Sequence, residues 1–460
     1  MIPPTTSPAP LPAEPAAAAL AGPPSAPGPG VAQPKLGAGG RFSRLPLLAG
    51  PSFIPIGLFA RLPLAMLTVG ALTLATAVTG SYATGGAVAG AVGIGSALGA
   101  PVFGALADRR GQRPVLLFAA VFNTLAVFAL ILTAYLIPGG EDAAAAVPVL
   151  AAAFLAGATS PQVGSLARVR WMALTTRGQA DANSADLDTA LSYESTADEL
   201  TFVLGPALVG ILASLIAPWL PLALAAALTI TLVPAFAGHA THRAVLRTPA
   251  GTADGAARRK QSRASLTAGQ RAGAAATVGL PVLAMICMGT FFGSTQTALS
   301  SFSASFATSE LAGLLYAVMG LSSAAAALSV AYWPQRFTVN ARWLACAALM
   351  AGLALLLLLP ATPLPMILVL LVLGLPVGPL MVTVFAIGSL VAPAGKLGTV
   401  MTALASGIVA GTAIGSSVAG QLAQRQGYST AFLVPVCAAA ALFLLGAAAA
   451  VGIRRRTKAA

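Results

Sequence analysis

The sequence is short of charge. Only 8% of its 460 residues are Asp, Glu, Lys or Arg, against roughly a quarter in an ordinary soluble domain, so a water-soluble fold of this length could not cover its surface. Aromatic residues are few at 6%, and the 25 basic residues, set against 12 acidic ones, stand at the ends of long apolar runs. That placement argues against a nucleic-acid partner in spite of the formal charge of +13. Cysteine is scarce: Cys287, Cys346 and Cys437 lie in separate apolar stretches, which excludes a disulfide framework and a paired-cysteine metal site. His239 and His242 in GHATHR are the only histidines and lack a third ligand nearby, so they read as a polar helix end. The sequence has no GxxxxGK[ST] stretch, which removes an ATP-driven pump within this chain. No metal, bound cofactor or catalytic residue set is expected, and the chain does not read as an enzyme.

What the sequence has is hydrophobicity, 57% of all residues. Residues 1–50 are rich in Pro, Ala and Gly (PPTTSPAPLPAEP, GPPSAPGPG) and are expected to form a disordered cytoplasmic tail, with no basic start for a signal peptide. Beyond them the apolar runs are about 20 residues long, enough to cross a hydrocarbon core of about 30 Å. Six are expected near 53–78, 85–107, 114–137, 147–167, 200–216 and 220–237, and six near 278–302, 312–332, 343–359, 364–390, 400–422 and 431–453. The expected fold is an all-α integral membrane protein of twelve transmembrane helices in two six-helix bundles, 51–238 and 276–455, joined by a basic cytoplasmic linker over 239–275 that contains ARRKQSR. With both termini cytoplasmic, 23 of the 25 basic residues fall on the inner face; only Arg425 lies outside and Arg61 within a span. The surroundings expected are therefore a lipid bilayer, as a multi-pass monomer of the cell membrane.

After the second run the residues read Gly104-Ala-Leu-Ala-Asp108-Arg109-Arg110-Gly111-Gln112-Arg113-Pro114. This resembles the G-x-L-a-D-r-x-G-r-k signature between the second and third helices of the major facilitator superfamily. Gly104, Leu106, Asp108, Arg109, Gly111 and Arg113 match, and Gln112 replaces the first basic residue of the closing pair. The resemblance extends over the twelve-run layout, and it implies that Asp108 latches the two halves together by meeting the start of the eleventh helix near Gly398 and Thr399. A carboxylate at that helix end can cap the positive N-terminus of another helix. Arg168 is the candidate ion-pair partner of Asp108. The corresponding turn in the second half, from Trp333 to Arg342, has lost any Gly-Asp counterpart. The fifth run carries Gly205-Pro206-Ala-Leu-Val-Gly210, similar to the family's G-P-x-x-G-G antiporter motif with one glycine missing. Small residues in the second run (Gly86, Gly90, Gly95, Gly99), the eighth (Ser322, Ser323) and the eleventh (Gly407, Gly411, Gly415) fall on the helices that form the seam between halves in that family.

Arg61 lies about 12 Å into the first run by helical rise. An embedded cation is a functional candidate, although one so near an end can also snorkel to the interface. Its candidate partners are Glu194, Asp198 and Glu199 in YESTADELTF, expected to lead into the fifth helix, and no carboxylate is expected in the middle of a span. The resemblance places the substrate path along the first, fourth, seventh and tenth helices, with Met66, Thr159, Gln162, Phe291, Phe292, Gln296, Met381 and Phe385 as lining candidates. Such a mainly apolar path with hydroxyls and amides suits a small hydrophobic or amphipathic molecule. The implied function is efflux of a drug or metabolite by alternating access, driven by entering protons, as in the superfamily's drug:proton antiporters. A sugar or polar-metabolite transporter and a transporter-like sensor without transport remain as alternatives.

Overall fold

The computed structural model describes residues 40–136, 143–176, 180–245, 268–306 and 311–459. Most of the expected tail and most of the basic linker lie outside these residues. Among the described residues, twelve helical spans are long and apolar enough to cross a membrane. Spans 1 to 6 are Phe53–Thr79, Thr84–Arg110, Gln112–Leu136, Val147–Thr175, Ala185–Leu215 and Leu220–Gly238; spans 7 to 12 are Val278–Ala304, Ala312–Tyr332, Val339–Leu358, Pro363–Val391, Leu397–Gln426 and Tyr428–Ala450. Helix is the form a single membrane-crossing segment must take, because it bonds every backbone group within the segment.

The two sets of six repeat one packing scheme. Span 2 lies on span 4 as span 8 lies on span 10, and span 5 lies on span 1 as span 11 lies on span 7. The halves meet where span 2 crosses span 11 and span 5 crosses span 8, a seam that relates the halves by approximate twofold symmetry. Three of the described spans are broken: span 12 near its start, between helices over Tyr428–Ala431 and Leu433–Ala459, and spans 1 and 4 of the first half more deeply. Span 1 is a helix over Phe53–Phe59 and another over Leu62–Thr79, with Arg61 in the break just before the second. Span 4 is a helix up to Ala158 and another over Val163–Thr175, and Pro161 in the gap has no amide hydrogen to continue the ladder.

Several expectations are corrected by this architecture. The fold begins before residue 51: Arg41–Ser43 and Arg44–Ala49 are helical, and Leu45 and Ala49 bury against a cluster containing Phe53, Trp171 and Phe236. The Leu and Phe residues of RFSRLPLLAG supply the apolar area that the preceding Pro-rich stretch lacks. The linker is shorter than 239–275, since Ala240–Ala244 forms a packed 3-10 turn and the helix of span 7 starts at Ala268. Span 5 starts well before residue 200, inside a helix over Ala180–Leu215, so its acidic residues belong to the span.

The seam is also less glycine-lined than the runs of small residues suggest. Gly95 and Gly99 approach the backbone of span 4 at Phe154 and Ala158, and Gly411 and Gly415 approach span 7 at Ile286 and Thr290. Gly86 and Gly90 have open space where a side chain would stand. These glycines tighten packing within each half. Only Gly104 and Gly398, facing each other across spans 2 and 11, bring the two halves into backbone contact.

Candidate functional site

The charged residues inside the first half gather into one network. Arg61 donates through Nη2 to Glu194 Oε2 at 2.7 Å, through Nη1 to Asp198 Oδ1 at 2.9 Å, and through Nε to the Gly57 carbonyl at 2.9 Å. Arg168, from the inner helix of span 4, donates to the second oxygen of Asp198 at 2.7 Å. The indole of Trp171 donates to the second oxygen of Glu194 at 2.8 Å. Two guanidiniums and two carboxylates thus neutralise one another across spans 1, 4 and 5, with Arg61, Arg168 and Glu194 each under 5% exposed. Breaking the first span at residue 61 frees the Gly57 carbonyl side of the helix for this cation, and the Glu194/Asp198 spacing puts both acids on one helical face.

This arrangement decides between the two readings of Arg61: its head is turned inward onto carboxylates and does not snorkel. It also corrects the pairing proposed for Arg168. Seven residues, or about 10 Å of helix, separate Arg168 from the end of span 4 at Thr175, and its side chain is directed to span 5. Asp108 has other partners: its oxygens accept from the backbone N–H of Gly398 at 2.8 Å and of Thr399 at 2.8 Å, and from the Thr399 hydroxyl at 2.7 Å. These are the unpaired amides that open span 11. A methyl group on Gly104 would overlap Thr402 Oγ1 and the Gly398 carbonyl, so the motif's glycine is required for the approach that the carboxylate seals.

Gln112, the position at which the motif departs from its usual basic residue, is buried and accepts from Arg170 Nε at 2.8 Å while donating to the Leu166 carbonyl. Arg170 also donates to the Phe236 carbonyl at 2.7 Å and to Thr241, and stacks over the Phe236 ring at 3.9 Å. A second cation at residue 112 would face this fully buried guanidinium, whereas an amide oxygen accepts from its Nε. Burial, followed by the nearby Arg170 charge, holds the His239 imidazole below its ordinary value just past span 6.

A carboxylate does occupy the middle of a span. Glu199 is the fifteenth residue of the 31 in span 5, 5% exposed, and accepts from the Ser323 hydroxyl of span 8 at 2.8 Å. Among the described residues it has no cationic partner. Its neighbour Asp198 faces the ion network of the first half while Glu199 faces the other half. Sequence reading missed this because the helix was taken to start after it.

Beside the network is a cleft between the halves. Its first-half wall is Arg61, Leu64, Ala65, Ser96, Ala100, the broken segment Pro161 to Ser165, Arg168, Asp198, Thr201 and Phe202; its second-half wall is Phe385, Ala405, Ser406, Ile408 and Val409. The Phe385 ring lies 3.9 Å from the Arg168 guanidinium carbon, a cation–π contact across the halves. Arg168 Nε and Ser406 Oγ, both on the cleft wall, are buried without a hydrogen-bond partner. Of the eight lining candidates only Gln162 and Phe385 reach the cleft. Met66 packs with Leu62, Val209 and Ala225; Phe291, Phe292 and Met381 belong to the second half's hydrophobic core. Thr159 bonds the Leu155 carbonyl of its own helix, and Gln296 is exposed. Large apolar residues go to whichever core is near, so residue type alone did not separate cleft from core. Of the fifth-span motif, Gly205 packs closely on Ala65 of span 1, whereas Gly210 meets nothing within 4 Å. Arg109 and Arg113 are exposed beside Asp108, and Gly111 takes φ +89° where span 2 turns into span 3.

The family model of the Major Facilitator Superfamily matches residues 53–405. The chain belongs to this superfamily. Superfamily members are membrane transporters rather than enzymes, and the match covers the breaks of spans 1 and 4, the ion network and most of the cleft. Among solved structures the chain is similar to the human organic anion transporter MFSD10 (TETRAN), at 19% identity and a TM-score of 0.62 over 90% of this chain and 100% of that one. It is similar to a bacterial homologue of the iron transporter ferroportin at 14% identity and 0.60, over 86% and 97% of the two chains. A third likeness is to the E. coli fucose:proton symporter, at 15% identity and 0.56, over 85% and 98%. At these identities the likeness establishes the fold. No curated protein sequence matches the chain.

Proposed function

We propose that the chain exports a small amphipathic molecule through the cleft between its halves, by alternating access coupled to proton entry. The observation that carries this reading is the two-sided cleft at the breaks of spans 1 and 4. Interrupted helices are where superfamily-type folds place substrate among freed backbone groups. One wall is ionic and amide-bearing, the other is Phe385, Ile408 and Val409. A molecule with one polar end and an apolar body satisfies both, its polar end meeting Gln162, Arg168 Nε and Ser406 Oγ. A sugar would leave hydroxyls against the second wall without partners, so the polar-metabolite reading is the weaker one.

Proton coupling is assigned to Glu199. An ionised carboxylate in a membrane interior without a countercharge is costly, and Glu199 sits on the surface that must part when the halves reorient. Among the described residues, the side-chain hydrogen bonds between the halves run from the arginine-rich end to the level of Glu199. With that end placed at the cytoplasm by its basic residues, this arrangement is closed inward. The test is uptake of a hydrophobic dye by inside-out vesicles under an imposed proton gradient. The expected result is accumulation that Glu199→Gln uncouples from pH while downhill movement persists. Accumulation that ignores the gradient in the parent protein would remove antiport, and no movement of any compound by folded protein would favour a sensor.

A further inference from the structure

The turn between spans 8 and 9 carries no Gly-Asp pair, yet the structure closes this second corner of the seam with a charge pair. Asp188, near the start of span 5, accepts from Arg342 Nη1 at 3.1 Å, in the first turn of span 9, and from Gln335 Nε2 at 3.2 Å, in the turn between spans 8 and 9. Arg342 is itself held by donating from Nε to the Phe337 carbonyl at 2.7 Å, with its guanidinium 5.9 Å from the Trp333 ring centre. The side chains are 4% and 13% exposed. By the repeat that relates span 2 to span 8 and span 5 to span 11, this corner is the counterpart of the one where Asp108 meets the start of span 11. We infer that Asp188, Arg342 and Gln335 form a second inter-half latch, built with its roles exchanged: the acid stands on span 5 and the donors on the turn and the first turn of span 9.

Helical geometry supports a gating role along the whole seam. At 100° per residue, Asp188, Ser192, Thr196 and Glu199 fall within about an 80° stripe of span 5. Three of the four are bonded to the other half: Asp188 as above, Thr196 to the Ala324 carbonyl at 3.1 Å, and Glu199 to Ser323. Ser192 lies on the same stripe and is fully buried. Opening the arginine-rich end must break these bonds together, so the Asp188 pair at the edge sets how readily the stripe is exposed. Exchanging the roles also separates the two corners. Asp108 is held by backbone amides, whose strength is fixed, whereas Asp188 is held by two side chains that a single substitution can weaken.

The inference rests on the alternating-access reading above, and its test is read without substrate or gradient. Ser192→Cys is introduced into a full-length chain whose Cys287, Cys346 and Cys437 are changed to Ala, and the labelling rate with a water-soluble maleimide is followed in detergent. Ser192 bonds only the Asp188 carbonyl of its own helix, which leaves the latch intact. Asp188→Asn and Arg342→Gln are each expected to raise labelling roughly fivefold or more. Their combination should add little to the larger single effect, because the two act through one pair. Gln335→Ala, at an exposed position, is expected to give roughly a twofold rise, and Arg342→Lys to stay near the parent. Unchanged labelling in both neutral variants, or independent multiplication of their effects, overturns the latch. Equal rates for Arg342→Lys and Arg342→Gln also overturn it, and this comparison stands even if Asp188→Asn does not fold. A parent that carries nothing yet labels as expected overturns the transport reading and leaves the latch.

Discussion

The two halves share a packing scheme and divide the chemistry unequally. In the first, Arg61, Arg168, Glu194 and Asp198 are buried in one neutral cluster beside the breaks of spans 1 and 4. The second half offers the cleft a wall of Phe385, Ile408, Val409 and Ser406 over a core of Phe, Met and Leu. A repeat of six helices therefore fixes where helices lie without fixing what they do. The half that holds charges must keep them satisfied in every conformation, so it is expected to move as a rigid body, while the apolar half adjusts the shape of the pocket.

Five substitutions sharpen or break this contrast. The largest effect is expected from Asp198→Asn, which leaves Arg61 and Arg168 sharing one carboxylate fewer. Stability should fall by about 3–5 kcal/mol, seen as a lower thermal midpoint with loss of dye transport; a near-parental midpoint would show that the cluster is not what holds the first half together. Next is Gly104→Ala, whose added methyl meets Thr402 and the Gly398 carbonyl. It should hold the halves apart at the arginine-rich end and depress transport by about tenfold, a shift of about 1.4 kcal/mol, with little change in folding. Phe385→Leu removes the ring above Arg168 and is expected to weaken dye binding by a few fold, in line with about 1 kcal/mol for a cation–π contact. Phe291→Leu, inside the second half's core, should lower the thermal midpoint and leave binding alone. If Phe291→Leu lowers affinity as much as Phe385→Leu, the cleft has been drawn in the wrong place. The smallest effect is assigned to Gly210→Ala, where nothing lies within 4 Å. It should be neutral or stabilising by about 0.5–1 kcal/mol without altering transport, which would show that this glycine of the fifth-span motif is dispensable.

Much of the fold was legible because membrane solvation imposes one rule on every residue of a span. The twelve apolar runs and the arginine-rich loops between them follow from that rule, and the GALADRRGQR turn identified the corner at which Asp108 meets Gly398 and Thr399. Arg61 was marked by its position and its acidic partners were named, yet the boundary of span 5 was misplaced. Hydropathy treats Glu194, Asp198 and Glu199 as signs that a span has not begun; cations on other helices are what allow the helix to carry Glu194 and Asp198 inward. Arg170 went unmarked as a buried residue for the same reason, since its satisfaction depends on Gln112, Phe236 and Thr241, far away in sequence.

The sequence by itself determined that the chain crosses a membrane repeatedly, that it divides into two sets of six, and that one turn carries a motif resembling the superfamily's signature. These are properties of local composition, written in consecutive residues. Which charges neutralise one another, which aromatics face the cleft rather than a core, and how the second corner of the seam is closed were decided only when helices from distant segments came together. The cost of a buried charge or an unpartnered hydroxyl depends on what stands within about 3 Å of it, and that neighbour is seldom adjacent in the chain.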